Sequence, residues 1–194
     1  KKTYYSIFED IIQEKGNYLF NINRDWISYY EVRDKWFSDK FYNLFGPKRN
    51  YDDPITDHHR NIAAALQKRL EDIVINQLTL ARKEFGLKKL VISGGVGLNC
   101  SMNGKIENSR IFEEIFVQPA SGDSGTVIGA CYLSNKKIRK NVNISKDHNS
   151  YLGSRFTDGE IEKAFNNYSI KFNKSNNIAL LTANKILNGK IIGW

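Results

Sequence analysis

The sequence predicts an α/β fold built from parallel strands that lead through glycine-rich turns into helices. Two short apolar runs, residues 89–93 and 115–118, are each followed by glycines and then by a helical pattern. Such runs are typical of parallel strands that a sheet buries on both faces. A long helical pattern over residues 55–85 leads directly into the first run, which completes half of an α/β unit. Because ligands in open α/β sheets bind beyond the carboxyl ends of the strands, we expect the functional site at the two glycine turns.

The long helix is predicted from apolar residues that recur at three and four positions and therefore share one face. These residues are Ile62, Leu66, Leu70, Ile73, Val74, Leu78 and Ala81. Gly86 follows as a residue suited to end the helix. After each glycine turn we expect a short helix, the first over residues 98–106 and the second over residues 124–134.

The residues before the long helix predict two further helices. Apolar side chains at helical spacing indicate an amphipathic helix over residues 3–15 that ends near Gly16. A strand is expected around residues 18–20. A second helix, rich in aromatic residues, is expected over residues 31–44.

A change of composition predicts a domain boundary near Asn135. Residues 135–150 are rich in lysine, asparagine and serine and contain no aromatic side chain, which is typical of a linker. We therefore expect one domain over residues 1–134 and the truncated beginning of a second α/β domain over residues 151–194.

The second segment contains its own local signals. Thr157 and Glu160 fit a capping box at a helix start, residues 168–172 alternate like a strand, and residues 178–187 have a helical pattern. Because the chain begins without Met and stops inside the apolar run 190–194, we expect it to be an excised fragment of a longer protein.

The bulk composition indicates a globular, basic protein. A net charge of +8 and a pI of about 9.4 suit nucleic acid or an anionic substrate without deciding between them. Cys100 and Cys131 make no disulfide framework, and we expect buried free thiols and a cytoplasmic setting. No apolar run approaches the ~20 residues of a membrane span, and no signal peptide is recognisable, so we expect no membrane partner.

The first glycine turn has the features of a phosphate or ribose contact. Gly94 and Gly95 can take backbone conformations that expose amides, and the helix start that follows adds positive potential. The spacing matches neither a P-loop nor the dinucleotide fingerprint, so a simple strand-to-helix turn is the alternative. Asn99 is suited either to bond a ligand or to cap the helix.

The second turn places an acidic residue among small residues. Asp123 lies between Gly122 and the pair Ser124-Gly125, where a carboxylate can face a cleft and ligate a hard cation or hold ribose hydroxyls. The alternative is a helix cap. Two such turns, about thirty residues apart in the chain, together predict a nucleotide cleft whose glycines are Gly94, Gly95, Gly122 and Gly125.

The histidines give no catalytic or metal-binding pattern. His58 and His59 are adjacent and point in different directions on a helix, and His148 lies in the predicted linker. We interpret each as structural or solvent-exposed. Neither a Ser/His/Asp or Cys/His arrangement nor a zinc-binding cysteine spacing is present.

Taken together, these motifs resemble those of the O-carbamoyltransferases of the NodU/CmcH type. The likeness runs from about residue 44 to the end of the chain, and the first forty residues add little to it. It is carried by Ser93-Gly94-Gly95-Val96-Gly97-Leu98-Asn99-Cys100, Asn103-Gly104-Lys105-Ile106, Gln118-Pro119-Ala120-Ser121-Gly122-Asp123-Ser124-Gly125, Tyr151-Leu152-Gly153 and Thr157-Asp158-Gly159-Glu160.

The resemblance implies the C-terminal lobe of an actin/hexokinase-like ATPase fold, followed by the start of the carbamoyltransferase C-terminal domain. It implies that carbamoyl phosphate and ATP form a carbamoyl-adenylate, and that the carbamoyl group then passes to a hydroxyl of a small molecule. Gly94, Gly95 and Asn99 would meet the adenylate, and Asp123 would ligate a divalent metal, iron or magnesium. Further partners would be the N-terminal lobe, the rest of the C-terminal domain and a second copy of the chain.

The sequence also departs from the family. The two histidine metal ligands of the N-terminal lobe have no counterpart here, so we expect the chain alone to be catalytically silent. Two alternatives stay open: a tRNA-modifying relative of the threonylcarbamoyladenosine type, and a non-catalytic nucleotide-binding protein. We favour the small-molecule enzyme over a nucleic-acid partner because the chain continues into a second domain.

Overall fold

The computed structural model describes residues 2–31, 33–138 and 153–193. The chain divides into two compact units, Lys1–Ile144 and Ser145–Trp194. The mixture of helices with small sheets confirms the α/β class at that coarse level, while the ATPase-like lobe stays a prediction. Among the described residues, no helix combines the length and the apolar character needed to cross a membrane.

The elements of the first unit follow one another in the order helix, hairpin, helix, long helix and a strand–helix–strand–helix unit. They are α1 (Lys2–Ile11), β1 (Ile12–Gly16), β2 (Leu19–Ile22), α2 (Asp39–Phe45), α3 (Asp57–Phe85), β3 (Lys89–Ile92), α4 (Cys100–Asn108), β4 (Glu114–Val117) and α5 (Thr126–Ile138). Short 3₁₀ turns cover Arg24–Trp26, Gly95–Leu98 and Asp123–Gly125. The described part of the second unit contains α6 (Asp158–Asn167) and α7 (Ile178–Leu187).

The long helix α3 confirms the prediction, ending at Phe85 as expected and beginning at Asp57, two residues after the predicted start. Thr56 and His59 form a reciprocal capping box at its start. Gly86 ends it in the left-handed conformation, with φ of 66°, and its amide donates to the carbonyl of Arg82 at 3.0 Å.

The buried face of α3 is more polar than the apolar repeat predicts. Besides Ala65 and Ile73 it buries Arg69 and Glu71. Arg69 donates from Nε and Nη2 to the carbonyl oxygen of Ile12, at 3.0 and 2.7 Å, which ties the start of the hairpin to the helix. These hydrogen bonds compensate the free-energy cost of burying the charge of Arg69.

Two predictions for the first forty residues are wrong in part. The first helix ends at Ile11, and residues 12–16 instead pair with residues 19–22 as an antiparallel hairpin. The chain reverses there through positive φ values at Gly16, Asn17 and Tyr18. The residues expected as a strand around 18–20 therefore divide between the turn and β2.

The second predicted helix is also shorter than the sequence pattern over residues 31–44 predicts. It begins at Asp39 instead of residue 31, because Ser38 caps it by accepting from the Phe41 amide at 3.4 Å. Before it, Ile27 and Phe37 form an isolated antiparallel bridge, so the aromatic residues of this region lie in a folded loop.

The core of the first unit is an aromatic cluster between α1, α2 and α3. Its buried members are Phe8, Ile11, Trp26, Phe45 and Ala65. The Phe45 ring lies 5.5 Å from Phe8 and 4.4 Å from Phe41, measured between ring centroids. Such ring pairs add to the free energy gained by burying apolar area.

Strands β3 and β4 pair in parallel, as the sequence predicts. Leu90 lies opposite Ile115 and Ile92 opposite Val117. The expectation that these strands are buried on both faces is wrong, because the side chain of Val91 is 70% exposed. The expectation of buried thiols is wrong as well: Cys100 and Cys131 are exposed because α4 and α5 turn these positions to solvent.

The domain boundary stays a prediction. Helix α5 continues to Ile138, three residues beyond the expected boundary at Asn135. Most of the predicted linker, residues 139–150, lies outside the described residues, as does His148.

In the second unit, the capping box at Thr157 and Glu160 is confirmed, with the Thr157 amide donating to Glu160 Oε2 at 2.7 Å. Residues 168–172 do not form the predicted strand. The chain turns at Ser169, with φ of 54°, and the Ile170 amide donates back to the Phe165 carbonyl at 2.8 Å. No residue in the described part of this unit is fully buried.

Candidate functional site

The parallel register brings both glycine turns to the same edge of the sheet. The Gln118 amide continues the ladder by donating to the carbonyl of Ile92 at 3.2 Å. Beyond it, the Gly94 amide donates to the carbonyl of Ser121 at 2.6 Å, a direct hydrogen bond between the two turns. The turns that the sequence singles out therefore form one structure, at the carboxyl ends of β3 and β4.

A cleft of about 300 Å³ lies between the turns. Four of the predicted site residues line it: Gly94, Gly122, Asp123 and Gly125. Residues that the sequence analysis did not select complete its wall, namely Ser93, Gln118, Ala120, Ser121 and Thr126. Thr126 is the first residue of α5, so the positive end of that helix faces the cleft.

The three glycines that line the cleft differ in their backbone conformation and in how closely other atoms approach them. Gly94 has φ of 98°, a conformation that side-chain-bearing residues rarely adopt. At Gly125 an added Cβ would overlap the carbonyl oxygen of Ala120, so only glycine fits. A Cβ on Gly122 would lie 3.9 Å from the Cα of Gly95, an ordinary contact that places the two turns against each other.

Asn99 and Gly95 do not line the cleft. Asn99 caps α4, accepting from the Met102 amide at 3.0 Å, and its Nδ2 donates to Gln67 Oε1 at 2.8 Å. The capping alternative for Asn99 is thus present in this structure, and its contact with an adenylate stays a prediction. Gly95 begins the 3₁₀ turn behind the cleft.

Beside Asn99, a partly buried polar network around the buried carboxylate of Glu71 joins α3 to α4. Gln67 donates from Nε2 to Glu71 Oε1 at 2.8 Å, and Lys105 pairs with the other carboxylate oxygen. Burial alone would raise the pKa of Glu71, but the hydrogen bonds from Lys105 and Gln67 outweigh it and hold this pKa below its ordinary value. Through Gln67 and Asn99 the network supports the first turn.

Asp123 is exposed at the mouth of the cleft, and no described residue donates to its carboxylate. In the described part of the chain no three His, Cys, Asp or Glu side chains converge on one point. A single carboxylate fits Mg²⁺, which proteins often hold by one or two carboxylates together with substrate phosphates. A single carboxylate also fits the two-histidine, one-carboxylate set of iron, whose histidines the family resemblance assigns to the N-terminal lobe.

The two described histidines have structural roles, which confirms their interpretation. His58 Nε2 bonds to the carbonyl of Phe45 at 2.7 Å, and its Nδ1 bonds to the Tyr4 hydroxyl at 2.9 Å. His59 accepts from the Thr56 amide at 3.1 Å. Both nitrogens of His58 are therefore engaged far from the cleft.

Ser121 is the functional candidate that the sequence reasoning missed. It is 5% exposed, lines the cleft, and its hydroxyl is buried without a hydrogen-bond partner. Its position directly before Gly122, at the carboxyl end of a predicted strand, is the signal that could have selected it.

The fold and site define an α/β protein with a small cleft between two glycine turns at a sheet edge. Residues 2–132 match the family described as Carbamoyltransferase N-terminus. The chain belongs to this carbamoyltransferase family. The match begins at residue 2, so the first forty residues, from which we expected little, are part of it.

The chain is also similar to several curated proteins. Nodulation protein NolO of Bradyrhizobium diazoefficiens is 35% identical over 73% of this chain and 26% of its own length. An uncharacterized protein of Synechocystis sp. is 30% identical over 97% of this chain and 32% of its own length. A tRNA N6-adenosine threonylcarbamoyltransferase of Lactococcus lactis is 26% identical over 77% of this chain and 46% of its own length. The chain spans about a third or less of the first two relatives.

Proposed function

We propose that this chain is part of an ATP-dependent carbamoyltransferase that moves a carbamoyl group from carbamoyl phosphate, through carbamoyl-adenylate, to a hydroxyl of a small molecule. The observation that carries the proposal is the single cleft between the two glycine turns, which combines exposed backbone, the N-terminus of α5 and the carboxylate of Asp123. Membership of the carbamoyltransferase family supports the reaction class.

In this proposal the cleft holds the adenylate during the transfer step. The acceptor oxygen forms a bond to the carbamoyl carbon, the bond from that carbon to the AMP phosphate oxygen breaks, and AMP leaves with the electron pair. The positive end of α5 favours the negative charge of the phosphate. A divalent ion held by Asp123 would supply further charge stabilisation at the carbamoyl oxygen when bound. Apart from Asp123, no residue lining the cleft has a basic side chain, so in this scheme the hydroxyl proton passes to water or to a group outside the cleft.

Adenylate formation belongs to a second site in this scheme, outside the described cleft. The chain spans about a third or less of the length of its Synechocystis and Bradyrhizobium relatives. No described residue of its second unit is buried. We therefore expect the isolated chain to bind nucleotide without completing a turnover. The N-terminal lobe, the rest of the C-terminal domain and a second copy of the chain are proposed partners.

The test uses the longer enzyme of which we propose this chain is a part. Pyrophosphate release from ATP is measured with and without carbamoyl phosphate, and transfer is measured with a hydroxylated acceptor. We expect Asp123→Ala to keep carbamoyl-phosphate-dependent pyrophosphate release and to lower transfer by about 10²-fold or more. Asp52→Ala, an exposed aspartate outside the cleft, is the matched control. Pyrophosphate release that ignores carbamoyl phosphate would contradict the proposal.

A second candidate is tRNA modification of the threonylcarbamoyl type. The similarity to the Lactococcus lactis enzyme and the net charge of +8 favour it. A transfer assay with tRNA beside a small hydroxylated acceptor separates the two. A third candidate, a nucleotide-binding protein without catalysis, would bind ATP but show neither transfer.

A further inference from the structure

The hydroxyl of Ser121 is buried in the free protein without a partner, although it belongs to a residue that lines the cleft. The residue is 5% exposed, and its Oγ makes no hydrogen bond within the described chain. Its backbone carbonyl, by contrast, accepts the Gly94 amide at 2.6 Å. Buried hydroxyls nearly always have partners, so an unpaired one in a native structure calls for an explanation.

The surroundings of Oγ explain why it stays unpaired. It lies against Gly97, where an added Cβ would be 3.0 Å from Ser121 Oγ and 3.2 Å from a methyl carbon of Ile92. This wall is tightly packed, and neither Gly97 nor Ile92 pairs with the hydroxyl. Asn103, which donates to the Gly97 carbonyl, likewise has a buried oxygen without a partner. Serine has three staggered χ1 positions, and a rotation to another one moves Oγ away from Gly97.

The other face of Ser121 belongs to the cleft. Around it lie Gly94, Gly122 and Asp123, together with Thr126 at the N-terminus of the thirteen-residue helix α5. This end of a helix favours an anion, and the unpaired hydroxyl is a second and independent feature that an anion would satisfy.

We propose that Ser121 is a phosphate-binding residue of this cleft, whose hydroxyl is unpaired in the free protein and donates to a phosphoryl oxygen of the bound nucleotide. The inference rests on the proposed function, since it takes the ligand of the cleft to be a nucleotide. It predicts an unusual combination: the hydroxyl contributes to ligand affinity and contributes nothing to the stability of the free protein.

The experiment compares the chain with Ser121→Ala in two measurements, thermal unfolding without ligand and calorimetric titration with AMP, the nucleotide part of the proposed adenylate, in the presence of Mg²⁺. We expect the unfolding temperature of Ser121→Ala to equal or exceed that of the unchanged chain, because no hydrogen bond is lost. AMP affinity should fall about tenfold or more, as for a hydrogen bond to a charged group. Ser124→Ala, an exposed serine in the same turn, should change neither quantity.

The other outcomes separate the two proposals. If the unchanged chain binds AMP and Ser121→Ala binds it equally well, the role of Ser121 is overturned while the nucleotide cleft stands. If Ser121→Ala lowers the unfolding temperature and leaves AMP affinity unchanged, the hydroxyl has a structural partner such as a bound water, and the role is again overturned. If the unchanged chain does not bind AMP, both the role of Ser121 and the assignment of an adenylate to the cleft fail.

Discussion

The aromatic cluster and the glycine-turn region of the first unit differ in how completely they are packed. In the cluster, Trp26 and Phe45 are buried among other rings, and the indole nitrogen of Trp26 donates to Asp10 at 2.8 Å. At the glycine turns, the side chains of Val91 and Val127 are 70% and 65% exposed. The side chains of the aromatic cluster are buried within this chain, whereas apolar side chains near the glycine turns are exposed.

The same contrast appears in the polar groups. The described chain contains two buried side-chain atoms without a hydrogen-bond partner, Asn103 Oδ1 and Ser121 Oγ, and both belong to residues beside Gly97 in the glycine-turn region. The buried polar groups near the cluster and on α3, such as Arg69 and Glu71, are paired. We therefore expect the aromatic cluster to contribute more to the stability of the fold than the glycine turns, whose exposed and unpaired groups are available to a ligand or partner.

The largest effect should follow from opening the aromatic cluster. Phe45→Ala removes a ring that is 4% exposed and contacts several others, so we expect the free energy of unfolding to fall by about 3–5 kcal/mol. Urea denaturation followed by tryptophan fluorescence measures this loss. Trp36→Ala is the control, because its side chain is 69% exposed and its loss should change little. Equal effects of the two variants would show that the cluster is not the core.

A smaller but site-specific effect is expected from Gly125→Ala. The new methyl would overlap the backbone carbonyl of Ala120, and relief of that overlap must move the second turn. We expect a loss of about 1–3 kcal/mol in the free energy of unfolding, together with weaker ATP binding.

The matched control for this substitution is Gly129→Ala. That glycine lies inside α5 with open space around its Cα, so alanine should be neutral or stabilise by up to about 1 kcal/mol. If Gly125→Ala were as well tolerated as Gly129→Ala, the close approach of the turn to Ala120 would be wrong.

The smallest effect concerns the network that joins the two regions, and it depends on pH. The pKa of Glu71 is lowered in the fold from an ordinary 4.5, so its ionised form contributes stability above that pH and loses it as the pH falls through the folded value. We expect Glu71→Gln to cost about 1–2 kcal/mol at pH 7 and to flatten the decline of stability below pH 4.5.

Denaturation curves between pH 3 and pH 7 measure this dependence. Glu114→Gln, which removes an exposed ion pair with Lys89, is the control and should leave the curve nearly unchanged. An unchanged slope below pH 4.5 in Glu71→Gln would mean that Lys105 does not stabilise the carboxylate.

The sequence predicts best where one physical signal acts alone. Helix α3, its end at Gly86 and the parallel pairing of β3 with β4 all follow from periodicity and glycine placement. It predicts less well where tertiary contacts decide, as at residues 12–16, whose helical pattern loses to a hairpin closed by positive φ at Asn17.

The site follows the same division. Gly94, Gly122 and Gly125 were selected because they follow predicted strands, and all three line the cleft. The residue type alone indicates where the backbone must take an unusual conformation or approach a neighbour closely. The state of Ser121 was not predictable, because only packing against Gly97 reveals that its hydroxyl is unpaired. Asn99 carried two possible roles in the sequence, and the structure displays the cap.

The hydrogen bond from the Gly94 amide to the Ser121 carbonyl has a mechanical consequence. Together with the hydrogen bond from the Gln118 amide to the Ile92 carbonyl, it joins the two turns into one unit at the sheet edge. The two turns cannot separate to admit a ligand without breaking these backbone hydrogen bonds. Under the proposed function, a lobe that closes over a nucleotide in this cleft would therefore have to move relative to the two joined turns.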